Sequence, residues 1–441
     1  MCIRDSLLLS GSGRIPRVLI SATPANDRGL QITGQPTLVA LEFEVDTSLS
    51  ASDRFSVEEG IVIKRVLTLN GSGTFSSNLE LDNGILVISD QPKLSGVLSQ
   101  NAASKIKLAQ NATLTTSLAV DLGSSVLSLE GPGTFTNAEA FVLDQGTGLD
   151  LSQGVVVKGD IKMGGGVLRS SGDAEVSEAL NISADASVQI ADAKTLTYSG
   201  PEVSIGQYTL TIAGAGILSN TNSLVLGDPA SVLKLSGTNT ISGPVSLNAG
   251  TIDVDESSTL SSDLTLGGSA TIDVAEDKTL TYGGASLSLG ANTLTISGLG
   301  SFQTSDYLSL DQPEGQLLLK DGMDLEKLKV TVQLVNDAGL KIVDSGTEIT
   351  SLHLSDDLIV DSVEPINAEE LIVNGQVKLS SNQNLNLKNL KYEGAARLNL
   401  GQENIDFTVT APVNLTNGEA ISNGNDSVSY THMTLPPNRE M

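Results

Sequence analysis

From about Leu67 onward the sequence is a succession of apolar-x-apolar triplets separated by short turns of small and polar residues. One stretch reads Val188/Ile190, Leu196/Tyr198, Val203/Ile205, Leu210/Ile212, Ile217, Leu224/Leu226, Leu233/Leu235 and Ile241, with each triplet starting a short and nearly constant step after the last. In a strand, residues i and i+2 share a face, so each triplet sends two side chains inward and one outward. No apolar stripe of helical period competes with this pattern. Strands this short bury too little to stand alone, and the uniform turns lack the chemistry of tight hairpins. Stacked in parallel, coil on coil at about 4.8 Å, they close continuous sheets around a dry aliphatic core.

A longer period lies over the short one. Lys194-Thr195-Leu196-Thr197-Tyr198 recurs as Lys278-Thr279-Leu280-Thr281-Tyr282, and the same offset (278 − 194) holds the register through Gly206/Gly290, Leu210/Leu294, Ile212/Ile296, Gly216/Gly300 and Leu224/Leu308. Four coils of about 21 residues account for it, and three strands per coil is the simplest closure. A second signature, an apolar-x-apolar triplet followed by Gly-x-Gly, starts at Leu67, Leu127, Leu210 and Leu294, so that related blocks are separated by insertions of about one coil. The expected fold is all-β, a parallel β-solenoid (β-helix) with about three short strands per coil of about 21–22 residues. Its coils would number some 16 or 17 and stack to about 80 Å.

The organisation along the chain follows from where this pattern stops. Residues 1–6 (MCIRDS) and 428–441 (VSYTHMTLPPNREM) break with the rest in residue usage and resemble translated sequencing-adapter read-through; both are expected to be non-native. Residues 7–62 are an irregular N-terminal β segment with two readings, an immunoglobulin-like remnant or the first coils. Residues 63–427 carry the solenoid repeats. Within them, residues 312–366 are longer-spaced and more charged, and Asp324 to Lys329 reads as a helical turn inserted in a loop. With the native N-terminus expected to lie outside the sequence, a signal peptide is not observable.

The chain carries 25 Lys and Arg against 52 Asp and Glu, a formal charge of −27. Phosphate backbones would be repelled, so no nucleic-acid partner is expected. No apolar run approaches the roughly 18–20 residues of a membrane-spanning helix. The only cysteine, Cys2, lies in the excluded head, which leaves no disulfide framework, thiol nucleophile or cysteine metal site. The Gly-x-Gly turns lack the third glycine and the following helix of a dinucleotide loop, and tight turns explain them. Neither an EF-hand loop nor a glycine-aspartate nonapeptide is present. The densest acid clusters, Asp253-Val254-Asp255-Glu256 and Asp356-Asp357, read as ordinary outward positions, and weak divalent-cation binding is the one ionic association left open.

A β-helix polysaccharide lyase or hydrolase would need convergent carboxylates beside a base and aromatic platforms for sugars. There is no Trp, and His353 is the only histidine left once the tail is set aside. In Leu352-His353-Leu354 it is expected to face solvent between two core leucines. No Asp/Glu pair has a Lys or Arg in the same triplet on two neighbouring coils. Thr-x-Thr triplets of the ice-binding kind occur at Thr195/Thr197, Thr209/Thr211, Thr279/Thr281 and Thr293/Thr295. Neighbouring ones are separated by two strands, not by one whole coil, which places them on different faces, where they form no ranked array.

Repeat pattern and residue usage together resemble the passenger regions of bacterial autotransporters and other repetitive adhesins, over most of residues 63–427. The resemblance is one of architecture, without a defining motif, so no catalytic, cofactor-binding or metal residue is carried over and no cofactor is implied. It implies a non-catalytic, extracellular or cell-surface structural protein that presents side loops to a surface, polysaccharide or matrix partner. The alternatives are a β-helix polysaccharide lyase or hydrolase and, less favoured, an ice-binding solenoid.

Overall fold

The computed structural model describes residues 7–11, 14–20, 30–34, 37–43, 46–50, 56–334, 339–400, 407–409, 413–414, 420–423, 428–430 and 433–434. The fold is an all-β parallel β-solenoid of about 16 turns, with three strands per coil and no helix among the described residues. Contacts divide the chain into two units: Met1–Ser204 with Tyr208–Asn222, and Ile205–Gln207 with Ser223–Met441.

In the first unit, one face stacks Val66–Asn70, Ile85–Ile88, Ser104–Leu108, Val126–Glu130, Gly148–Ser152, Val167–Ser170 and Ala186–Ile190, each parallel to the next. A second face runs from Thr74–Phe75 to Ile217–Asn220, and a third includes Ile61–Ile63, Leu79–Leu81 and Leu98–Gln100. Residues 7–62 hold parallel strands too: Arg14–Ile20 pairs with Thr37–Phe43, which pairs with Ile61–Ile63 through Leu41↔Ile61. At the other end of the chain, Val428–Tyr430 pairs in parallel with Phe407–Val409. Residues 1–6 and 435–441 lie outside the described residues.

In the second unit the same faces recur, for example Thr251–Val254 on Ala270–Val274 and Ser258–Leu260 on Thr279–Tyr282. From Asp324 onward the corners between faces close up. Asp324–Val330 begins on the second face, where Phe302 pairs with Leu325, and ends on the third, where Leu308 pairs with Leu328. The helical turn expected over Asp324 to Lys329 is therefore a strand. Its i,i+3 apolar spacing, Leu325 to Leu328, arises because the strand turns a corner between two inward positions, both buried. Glu348–Leu354, Ile366–Ser381 and Leu385–Leu400 turn corners in the same way.

The core is a stack of inward Leu, Ile and Val side chains, each worth about 1.5–3 kcal/mol when fully buried. Only a few aromatics join them, among them Phe135 and Phe141 with ring centroids 5.3 Å apart. The two tyrosines of the long repeat are core residues with a polar task. Tyr198 and Tyr282 are 3% and 2% exposed, and their hydroxyls accept the backbone N–H groups of Leu180 and Leu264, each on the preceding coil of its own unit. The repeat thus preserves a buried hydrogen bond as well as a volume.

The Gly-x-Gly signature has an equally local cause. Gly214 and Gly298 occupy the same position in the two copies of the long repeat and sit at φ +91° and +94°. A Cβ on either would lie 2.0 Å from a carbonyl oxygen of the coil below, Ile190 or Val274. Here glycine meets a left-handed backbone and a close approach at once.

Replacing Tyr282 by Phe leaves the buried Leu264 N–H without its acceptor and is expected to cost about 1–3 kcal/mol, whereas Tyr282→Ala opens a cavity and should cost about 3–5 kcal/mol. Urea unfolding of the two variants checks the order; a Tyr282→Phe variant as stable as the original protein would mean that the hydroxyl contributes nothing.

Candidate functional site

Outward positions acquire their neighbours from the coils above and below, so the ladders decide which charges meet. Asp253 lies directly across from Lys234 on the preceding coil and from Asp273 on the next. The Lys234 ammonium is 2.8 Å from carboxylate oxygens of both Asp253 and Asp255, and Glu256 receives Lys278 at 2.7 Å. Those hydrogen bonds, to Asp253 first, hold the Lys234 pKa above its ordinary value. This corrects the expectation that no acid pair meets a lysine from a neighbouring coil in the same triplet. The coil from Lys234 to Asp253 is shorter than the mean repeat expected from the sequence, and the register moves accordingly. The groups are a third to a half exposed, so the pairs contribute modestly to stability.

The second acid cluster is taken up by its own turns. The Asp356 carboxylate accepts the Asp357 N–H at 2.8 Å, and Asp357 accepts the backbone N–H of Lys378 at 2.7 Å. Among the described residues no three His, Cys, Asp or Glu side chains converge as metal ligands. The Thr-x-Thr triplets lie on different faces as expected, Thr195–Tyr198 and Thr279–Tyr282 on one, Thr209–Gly214 and Thr293–Ser297 on another, while single threonines align along a face: Thr251, Thr271 and Thr295 share one outward row, and Thr240, Thr259 and Thr281 another. The row beside the first is Asp253, Asp273 and Ser297, so the surface is mixed and charged.

The face carried by the long strands of the second unit gathers several ionisable side chains. A groove of about 200 Å³ is lined by Glu348, Asn367, Asn386, Glu369 and Lys388, with Ile349, Ala368 and Leu387 between the two polar rows. Glu348, Asn367 and Asn386 are in register, and the Asn386 amide donates to the Asn367 side-chain oxygen at 3.0 Å. Lys388 pairs with Glu369, and next to it Lys391 with Glu370. At one end of the row Asp324 stacks directly on Glu348. Burial, and then the Glu348 charge, push the Asp324 carboxyl above the usual carboxylate range.

His353 is part of this face, and its position departs from expectation. Leu352 and Leu354 fill the core as foreseen, but the outward histidine is only 8% exposed. The Tyr307 ring stands against it edge-on, with centroids 5.7 Å apart, and Lys329 is in register on the preceding coil. Neither sequence spacing nor motif betrays the contact, because the coil from Lys329 to His353 is longer than the mean repeat.

No family model matches the sequence, and no curated protein or solved structure matches it either. The fold alone gives the class, a parallel β-solenoid.

Because the folded-state pKa of Asp324 is raised, its contribution to stability is present below the ordinary carboxylate value and is lost as pH rises through the folded value. Asp324→Asn is therefore expected to stabilise the protein near neutral pH and to make no difference in acid. Thermal unfolding across pH measures this, and a variant less stable at neutral pH would show that the ionised carboxylate is favourable there.

Proposed function

We propose that this chain is a non-catalytic scaffold of the adhesin type, from a bacterial cell-surface or secreted protein, that presents its outward faces to a surface, polysaccharide or matrix partner. The observation that carries this reading is the pairing of ionisable groups across coils. Lys234 with Asp253 and Asp255, Lys278 with Glu256, Lys105 with Glu130, Lys388 with Glu369 and Lys391 with Glu370 neutralise one another on exposed ladders. Groups engaged in this way serve recognition and solubility better than proton transfer, which needs a base poised beside a substrate. The resemblance to passenger regions of autotransporters points the same way, and the excess of acid keeps such a surface solvated. Turns between the described strands are short, so in this reading the flat ladders, more than long side loops, meet the partner.

One observation favours a second reading, a β-helix polysaccharide lyase or hydrolase. Asp324 and Glu348 are stacked carboxylates at the edge of the groove, and the first is biased towards its neutral form. Glycoside chemistry uses two carboxyl groups, one of them kept protonated as the acid.

The purified chain applied to immobilised polysaccharides and matrix proteins separates the two. Retention on one of them without new reducing ends or unsaturated products is the expected result. Product release that Asp324→Asn or Glu348→Gln abolishes would replace the scaffold reading with the enzymatic one.

A further inference from the structure

A side chain between two core leucines must point away from the core, and one pointing away from a solenoid face is ordinarily wet. His353 is the exception. Leu352 and Leu354 are 1% and 0% exposed, which fixes the strand, yet the imidazole between them is covered, and both ring nitrogens are buried without a hydrogen-bond partner. Buried nitrogens left unsatisfied call for a reason. The cover includes side chains from other coils. Tyr307, just ahead of Leu308–Leu310, meets the imidazole edge-on. Lys329, from Asp324–Val330, holds its ammonium 5.7 Å from the Tyr307 ring centroid, a cation–π distance that ties the cover down. Ile372 is its register partner on the following coil.

We propose that His353 and Tyr307 form a proton-operated latch on this face: the neutral imidazole stays under the tyrosine, and the protonated imidazolium turns outward beside Glu393 and releases the cover.

The charges facing the imidazole set the direction. Lys329 stands beside it on the preceding coil, and Glu370 lies on the following one. Lys391 and Glu393 come from Leu385–Leu400, with Lys391 already paired to Glu370. An imidazolium under the tyrosine would lose its hydration and face the Lys329 ammonium. On the opposite side, Glu393 Oε2 is 3.5 Å from Nε2, on a side chain that is 52% exposed, so the attractive partner lies towards water. Burial is the largest influence, Glu393 opposes it and Lys329 adds to it, and the balance holds the His353 pKa below its ordinary value. A depressed folded-state pKa means that the closed arrangement is stable above the ordinary histidine value and is lost as pH falls through the depressed one. Opening would expose the Tyr307 ring while Leu352 and Leu354 keep the strand in place. The face presented to a partner would then be more apolar in acid than at neutral pH.

The sequence has two histidines, His353 and His432, and six tyrosines, so both halves of the latch can be followed in the full chain. Proton NMR of the imidazoles, assigned with His353→Gln, gives the His353 midpoint; fluorotyrosine labelling, assigned with Tyr307→Phe, reports on the ring. The expected result is a His353 midpoint below the ordinary histidine range and a Tyr307 signal that moves with that midpoint and is flat in His353→Gln. Glu393→Gln should lower the midpoint further, and Lys329→Met should raise it. A His353 midpoint in the ordinary range, or a Tyr307 signal that stays constant through the His353 titration, overturns the latch. All four substitutions are at outward positions and leave the core leucines in place; circular dichroism verifies that each variant keeps its strands.

Discussion

Everything in this protein depends on the backbone ladder that, within each unit, joins coil to coil in parallel register. Bonds such as Ile85 N–H to Arg65 O at 2.8 Å and Lys105 N–H to Gly84 O at 3.1 Å repeat up the stack. Because strands pair residue by residue, the ladder fixes which side chains enter the core and which leave it, and a slip of one residue would exchange the two sets. It also dictates where glycine must stand: at Gly214 and Gly298 the coil below comes so close that no Cβ fits.

The same ladder governs surface chemistry. A residue's outward neighbour is one coil away, and coil length decides its identity. A short coil sets Lys234 against Asp253, and a long one sets Lys329 against His353. Basic residues, although outnumbered by acids, are placed where they meet them, as the paired lysines show. Where the corners close after Asp324, two or three faces merge into long strands. There the outward rows come together, and the groove, the stacked carboxylates and the covered histidine all occur there.

How much of this could be read beforehand follows the same division. The triplets state inward and outward positions directly, so Leu210, Ile212, Leu224 and Leu226 were recognisable as core, and the long repeat revealed four coils. What the repeat concealed was the variation around its mean. A uniform coil of about 21 residues would set Lys234 against Asp255 in place of Asp253, and would give Tyr307 no reason to approach His353. Asp324 to Lys329 imitated a helical turn because a corner between two inward leucines has the spacing of one. The hydroxyls of Tyr198 and Tyr282 were invisible for a different reason: an aromatic at a core position reads as volume, and only its backbone partner shows that it also accepts a hydrogen bond.

The most direct test of the parallel, in-register stack is a proximity measurement between outward positions on successive coils. In a Cys2→Ser background, cysteines replacing Thr259 and Thr281 are paired residues of adjacent strands, while one replacing Thr271 lies on another face. With pyrene on both thiols, the Thr259/Thr281 pair is expected to give strong excimer emission, since adjacent strands are about 4.8 Å apart. The Thr259/Thr271 pair, although nearer in sequence, should give monomer emission only. Excimer emission from the second pair and not the first would contradict the register, and with it the core, the ladders and the sites built on them.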